Sequence, residues 1–459
     1  MGALGTAERP VRVAVVGAGP AGFFVSEALL KRAAPVFSVD LIERLPTPFG
    51  LVRAGVAPDH QKIKSVTRTF EKTAQHGRFR FFGHVTVGKD VSHEELLSHY
   101  DQVVYAIGSS GDRRLGIPGE ELTGCHAATA FVGWYNGHPD FRDFPFDLGK
   151  KRAVVVGAGN VALDISRVLL RDRDELAKTD IADYALDALR RSPLEEVVVL
   201  ARRGPAQAAF TTGELEDIIA LPGVAVRVDP KQLEVDETTL ARLDANAKRN
   251  LEVLQKVADA PKAEARRTLK LEFLASPVEV LGEDGKVRGV KVERNALVPV
   301  GDDVKARGTG EFFELDAGLV FRSIGYFGQP VPGVPFDEKA GVIPNVDGRV
   351  KERDGATVPR VYAVGWIRRG PLGVIGTNKA DGVLVAERVA EDVAALVPEA
   401  RPSPGGLPRL LAERGVKVVS YADWLALDRL EVEAGRQTGK VREKITRIED
   451  MLNALLREG

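Results

Sequence analysis
An α/β fold built on two parallel-sheet units is the class this sequence predicts, and three observations predict it. The stretch "VVGAGPAGF" (Val15–Phe23) sets glycines between a short apolar run and a helical pattern. "VVVGAGNVALD" (Val154–Asp164) repeats that arrangement later in the chain. Each turn is followed by a further apolar run, "FSVDLIER" after the first and "LEEVVVLARRGP" after the second. An apolar run, a glycine turn, a helix and a second apolar run make a βαβ unit with strands buried on both faces.

In chain order, "VRVAVVGAG" reads as a buried strand and "PAGFFVSEALLKRA" as the helix after it. "HEELLSHY" is a short helix and "DQVVYAIGS" another buried strand. The pattern restarts at "KRAVVVGAG", with "NVALDISRVLLRD" as its helix. "TGELEDIIAL" is helical and "VAVRVD" a candidate strand. About Thr239 to Lys270 is charged and alanine-rich, and predicts helix. "LKLEFLASPVEVLGEDGKVRGVKVERN" predicts antiparallel strands with "EDGK" as the turn. "AGLVFRSIGY" and "RVYAVGW" are further strands, and "KADGVLVAERVAEDVAAL" a helix. From about Arg401 the chain is Pro-rich and then charged, and its helical stretches read as caps on the surface.

Composition narrows the functions. A net charge of −1 provides no global field for nucleic acid or an acidic membrane surface. No apolar run approaches the ~20 residues that span a bilayer, and "MGALGTAERP" lacks the apolar core of a signal peptide. The expected location is the cytoplasm. The one cysteine, Cys125, excludes an all-cysteine iron–sulfur cluster, a CxxC redox pair and an internal disulfide.

The glycines carry the chemistry. Gly17, Gly19 and Gly22 form GxGxxG. The first permits the tight turn, the second lets backbone approach a pyrophosphate, and the third lets helix and strand pack closely. The phosphates then meet the unpaired N–H groups of the helix N-terminus. Glu43 closes the next strand, where an acid accepts from a ribose diol. Gly157, Gly159 and Ala162 form the second turn, and its next strand ends in Arg202 and Arg203. Paired guanidiniums suit a 2′-phosphate, whereas a carboxylate repels one. The first site therefore suits the ADP half of FAD and the second suits NADPH. These are two Rossmann-like dinucleotide-binding domains. Asn160 adds an amide able to reach ligand or backbone.

With these residues in place, the chain resembles the adrenodoxin-reductase type of NADPH–ferredoxin reductase. The matching stretches include "PTPFGLVRAGVAPDH", "AFVGWYNGHP", "GAGNVALDISRVLL", "RRGPAQAAFTTGEL" and "VGWIRRGPLGVIGTNKADG". The resemblance implies an NADP domain inserted into the FAD domain. Residues 1–108 would be the first FAD segment, 109–326 the NADP domain, and 327–459 the second FAD segment with a C-terminal extension. It implies that Ala21, Glu43, Leu51 and Val85 line FAD, and that Trp366, Gly373, Val374 and Ile375 lie beside the flavin ring. It sets Gly157, Ala158, Gly159, Asn160, Arg113, Arg202, Arg203 and Glu214 at the NADP site. Asp59 and His60 would lie near flavin and nicotinamide, His60 relaying a proton or holding the ring. Asp217 stands where relatives carry a longer acid.

The implied activity is hydride transfer from NADPH to FAD, then single-electron transfer to a separate, acidic ferredoxin-type iron–sulfur protein. An FAD- and NADPH-dependent monooxygenase, or another NADPH-dependent flavoprotein, is the alternative. Candidate docking cations are Arg242, Lys248, Arg249, Lys256, Lys262, Arg266 and Arg267, or else Arg368 and Arg369.

Overall fold
The computed structural model describes residues 3–261, 264–301, 303–396 and 405–458. Two sheets organise it. The first has seven strands in the order Asn345–Val346, Arg349–Lys351, Thr357–Ala363, Gln102–Tyr105, Val11–Val16, Phe37–Ile42, Phe79–Phe82. Its last five are parallel, so its central strands are Val-, Ile- and Phe-rich and closed on both faces. The second has six strands, all parallel, in the order Cys125–Ala127, Leu319–Arg322, Arg152–Val156, Glu196–Ala201, Arg267–Phe273, Val224–Val228.

The sheets repeat one local plan. Val16 pairs with Ile42 on one side and Tyr105 on the other. Val156 pairs with Leu200 on one side and Arg322 on the other. Each glycine turn therefore leaves the carboxyl end of a strand flanked on both sides, where open α/β sheets bind ligands. The first sheet draws strands from both ends of the chain. The second takes all its strands from Cys125 to Arg322. Between the sheets the chain runs out and back as a small ribbon, Gly111–Asp112 antiparallel to Tyr326–Phe327. Arg322 braces it, donating to Asp112 Oδ2 at 2.9 Å.

Three expectations need correction. The charged helical region ends at Asp259, and Arg267–Phe273 is a strand. "LKLEF" belongs to that strand, and it pairs parallel with Glu196–Ala201 instead of joining the hairpin. Its partner comes from a distant βαβ unit, which hairpin spacing cannot reveal. The "EDGK" turn does join two antiparallel strands, Ala275–Glu283 and Lys286–Val300, and Asp303–Asp316 completes a three-stranded sheet. The C-terminal stretch is more than a surface cap. Helix Tyr421–Thr438 buries Glu431, which takes Arg53 Nη1 at 2.8 Å and Arg442 Nη1 at 3.1 Å. The fully buried Lys444 donates to Asn136 O at 3.0 Å and lies 3.0 Å from Asp180, which also receives Lys64 at 2.7 Å. The tail is thus clamped by buried ion pairs to both halves of the molecule.

Candidate active site
Each glycine of the first turn has its own reason. Gly17 has φ +105°, and a Cβ there would lie 2.5 Å from Ala106 O. At Gly22 a Cβ would lie 2.0 Å from Gly17 O, which enforces close packing of helix on strand. A Cβ on Gly19 would meet nothing within 4 Å, and its φ of −83° is ordinary. The chain itself does not require glycine there, so the bare backbone serves something that approaches from outside. Glu43 stabilises the turn from the neighbouring strand, accepting from Ala18 N at 2.9 Å and Leu45 N at 3.1 Å.

The second turn follows the same logic. Gly157 has φ +130°, with a Cβ position 2.1 Å from Ser323 O. Gly159 again faces open space. Ala162 is fully buried where the first turn needs Gly22, so at this turn the packing of helix and strand accommodates a methyl group. The Asn160 amide settles on backbone, its Oδ1 accepting from Thr211 N at 2.8 Å. Arg202 and Arg203 leave the end of strand Glu196–Ala201 with their carbonyls taken by Asn295 Nδ2 and Leu274 N. Arg202 is exposed and Arg203 half-buried.

One cavity of about 790 Å³ runs from the first turn to the second unit. Gly17, Gly19, Ala21, Glu43, Leu51, His60 and Val85 line it from the first sheet's side, and Asn160 and Glu214 from the other. Trp366, Gly373, Val374 and Ile375 close a further wall. Gly22, Asp59, Gly157, Ala158, Gly159, Arg113, Arg202 and Arg203 are not in its wall. Arg113 is exposed and stacks over Phe327 at 5.3 Å. Three residues of the wall carry buried polar atoms without a protein partner: Trp366 Nε1, Asn136 Nδ2 and Ser109 Oγ. Such atoms cost about 1–3 kcal/mol each unless something satisfies them. Open glycines, a helix N-terminus and orphaned donors together fit a large, polar-headed dinucleotide.

Behind His60 lies a buried knot of charge. Arg167, from helix Asn160–Leu170, donates through Nε to Asp59 Oδ2 at 2.7 Å and through Nη1 to Glu214 Oε2 at 2.9 Å. Its Nη2 reaches Asp164 Oδ1 at 2.5 Å. His60 Nδ1 lies 3.5 Å from Glu214 Oε1, and Nε2 lies 3.8 Å from Asp217 Oδ2. Burial pushes the Glu214 carboxyl up to about 7, with the Asp164 charge adding to it. Burial, then the Arg167 charge, holds His60 below the ordinary histidine value. Burial works to raise Asp59, but its hydrogen bonds to Arg167 and that charge outweigh it and leave the carboxyl low.

Comparison with known proteins gives the family. Residues 11–258 match the family model for pyridine nucleotide-disulphide oxidoreductases. The chain is 47% identical to the NADPH-ferredoxin reductase FprA of Mycobacterium tuberculosis, over 97% of this chain and 99% of that protein. It is 43% identical to human mitochondrial NADPH:adrenodoxin oxidoreductase, over 98% and 93%. The solved structure of Mycobacterium tuberculosis FprA in complex with NADPH superposes with a TM-score of 0.93 at 46% identity, covering 98% of this chain and 100% of that one. This chain is an adrenodoxin-reductase-type NADPH–ferredoxin reductase by family. Disulphide chemistry within the chain is closed to this reductase, because Cys125 is its one cysteine.

The docking candidates fare unevenly. Arg368 and Arg369 turn inward, with Arg368 Nε on Asp381 at 2.7 Å and Arg369 Nη2 on Asn378 at 3.1 Å. They hold the loop beside the cavity instead of offering a free basic face. Arg249 pairs with Glu216 and Glu252, and Arg267 donates to Leu170 O and Arg171 O. Lys262 lies outside the described residues. Sequence reasoning missed Asp164 and Arg167 in this reductase. The signal was present, as two opposite charges three residues apart on a mostly apolar helix.

Proposed function
We propose that this chain takes electrons in pairs from NADPH and delivers them singly to a ferredoxin-type acceptor, with FAD bound as the intermediary. The observation that carries this reading is the cavity that runs from the first glycine turn, with Glu43 at its strand end, to Asn160 and Glu214 of the second unit. FAD, when bound, supplies the conversion from hydride transfer to one-electron release. Gly17, Gly19 and Gly22 open the N-terminus of helix Pro20–Leu30 to a pyrophosphate, and Glu43 takes a ribose. Ala21, Leu51 and Val85 give the apolar walls. Trp366, Gly373, Val374 and Ile375 would lie beside the ring from the wall they form.

On the nicotinamide side, Gly157, Ala158, Gly159 and Asn160 receive the second pyrophosphate. Arg202 and Arg203, with Arg113, meet the 2′-phosphate through charge-assisted hydrogen bonds. His60 and Glu214 face one another where a proton can be held, and Asp59 anchors the loop that carries His60. This reading divides the chain into FAD segments 1–108 and 327–459 and an NADP domain at 109–326; the membership of the two sheets supports it. The acceptor is a separate, acidic iron–sulfur protein, since one cysteine cannot ligate a cluster. No described helix is long and apolar enough to cross a membrane. A cytoplasmic place accords with the low cysteine count.

The test is anaerobic titration with NADPH and with NADH while following the visible flavin bands. NADPH bleaches them at far lower concentration. Arg202→Ala and Arg203→Ala each weaken NADPH use by about tenfold or more and leave NADH nearly unchanged. A colourless protein, or equal bleaching by both nucleotides, overturns the reading.

A further inference from the structure
A buried guanidinium, that of Arg167, lies behind the cavity wall where the two halves of the molecule meet. We propose that Arg167 is a positioning residue for the hydride step, a buried group that ties the flavin-side loop bearing His60 to the nicotinamide-side helix bearing Glu214. The inference rests on the functional reading above and deepens it.

Arg167 has a side chain 1% exposed and spends its donors on three carboxylates from three segments. Its Nε and Nη2 fork over Asp59, at 2.7 and 3.2 Å. Asp164 is on its own helix, and Glu214 on helix Thr212–Ile219. A guanidinium can serve three directions at once because its donors form a rigid planar fork, and an ammonium cannot reproduce that geometry. Asp59 is the residue before His60 and its side chain is 2% exposed, so fixing its carboxylate fixes the backbone that aims the imidazole. Glu214 divides its two oxygens, Oε2 to Arg167 and Oε1 toward His60. Arg167 thus holds both members of the facing pair from behind, without itself lining the cavity.

The other charged and titratable groups around it are few. Arg171 also donates to Asp59, at 2.8 Å. Asp217 faces His60 from helix Thr212–Ile219. Tyr135, buried with its hydroxyl unpartnered, approaches from helix Ala128–Tyr135, and Tyr326 from the ribbon. Arg167 and Arg171 are the cations of the group. The Arg167 charge favours the ionised form of Glu214 and disfavours the charged form of His60. Removing that charge raises both titrations, whereas Lys at this position keeps the charge and loses the fork.

Two variants and two readouts separate position from charge. The first readout is single-turnover reduction of the bound flavin by NADPH across the neutral pH range, with limiting rate and half-saturating NADPH recorded separately. The second is NMR titration of the His60 ring in protein without nucleotide. Arg167→Lys lowers the limiting rate about tenfold while half-saturation changes little, because an interaction needed in the transition state is lost. Arg167→Gln moves the midpoint of the rate profile and the His60 titration upward. If Arg167→Gln does not fold, the Arg167→Lys split between rate and half-saturation decides alone. Limiting rates and His60 titrations equal to wild type overturn the inference, as does a loss confined to half-saturation. Failure of wild-type flavin to accept electrons from NADPH is a different result: it removes the functional reading, while the His60 titration still reports on Arg167.

Discussion

The molecule buries two charge clusters of opposite surplus. Beside the cavity, Arg167 and Arg171 face Asp59, Asp164 and Glu214, an excess of acid. At the C-terminal joint, Lys64 and Lys444 share Asp180, and Arg53 and Arg442 share Glu431, an excess of base. Burial makes surplus charge costly in either sense, and the surplus is shed by moving a proton. At the cavity an acid gains one, with Glu214 pushed up to about 7. At the joint a base gives one up, because burial brings Lys444 down to about 7. The same physics yields a proton-holding pair where nucleotide enters and a nearly neutral clamp where three segments meet.

The comparison breaks most visibly at Asp180. Asp180→Asn leaves two buried lysines without a counter-ion and costs about 3–5 kcal/mol in urea unfolding at neutral pH. A loss below that range shows that solvent reaches the joint.

Lys444→Met sharpens the contrast next. From about pH 7 to the ordinary lysine value near 10.4, the unfolded chain binds a proton that the folded chain has shed. Wild-type stability therefore rises with pH across that window. Lys444→Met reduces the rise, by roughly 4 kcal/mol at the alkaline end. Thermal unfolding at several alkaline pH values reads it.

Glu214→Gln gives the smallest effect and the opposite slope. From the ordinary glutamate value of about 4.3 up to about 7, the folded chain holds a proton that the unfolded chain has lost. Wild-type stability falls as pH rises through that window. The glutamine still accepts from Arg167 and does not titrate, so this contribution flattens, by about 2–3 kcal/mol at the upper end after solvent screening. An unchanged slope assigns the proton to Asp164 instead.

Much of the cavity was legible in the sequence because its signals are local. Gly17, Gly19, Gly22 and Glu43 belong to one βαβ unit, and Gly157, Gly159, Arg202 and Arg203 to another. The charge clusters were not legible, because their partners are distant. Arg53 and Glu431 are 378 residues apart, and charged residues such as Arg442 and Lys444 look like a solvated face until the fold is known. Strand Arg267–Phe273 was misread for the same reason: a parallel partner leaves no trace in local spacing.

The first sheet's use of both chain ends has a consequence for the order of assembly. Gln102–Tyr105 lies between Val11–Val16 and Thr357–Ala363. Helix Thr377–Glu391 packs so closely on the first helix that a Cβ on Gly382 would lie 2.8 Å from Val25 N. On the ribosome, the second glycine turn has every strand of its sheet once Arg322 has emerged. The first turn, translated far earlier, waits for Thr357 and beyond. The unit at the amino terminus is thus the one completed last, and it passes its synthesis beside a finished neighbour with the edge of strand Gln102–Tyr105 still open.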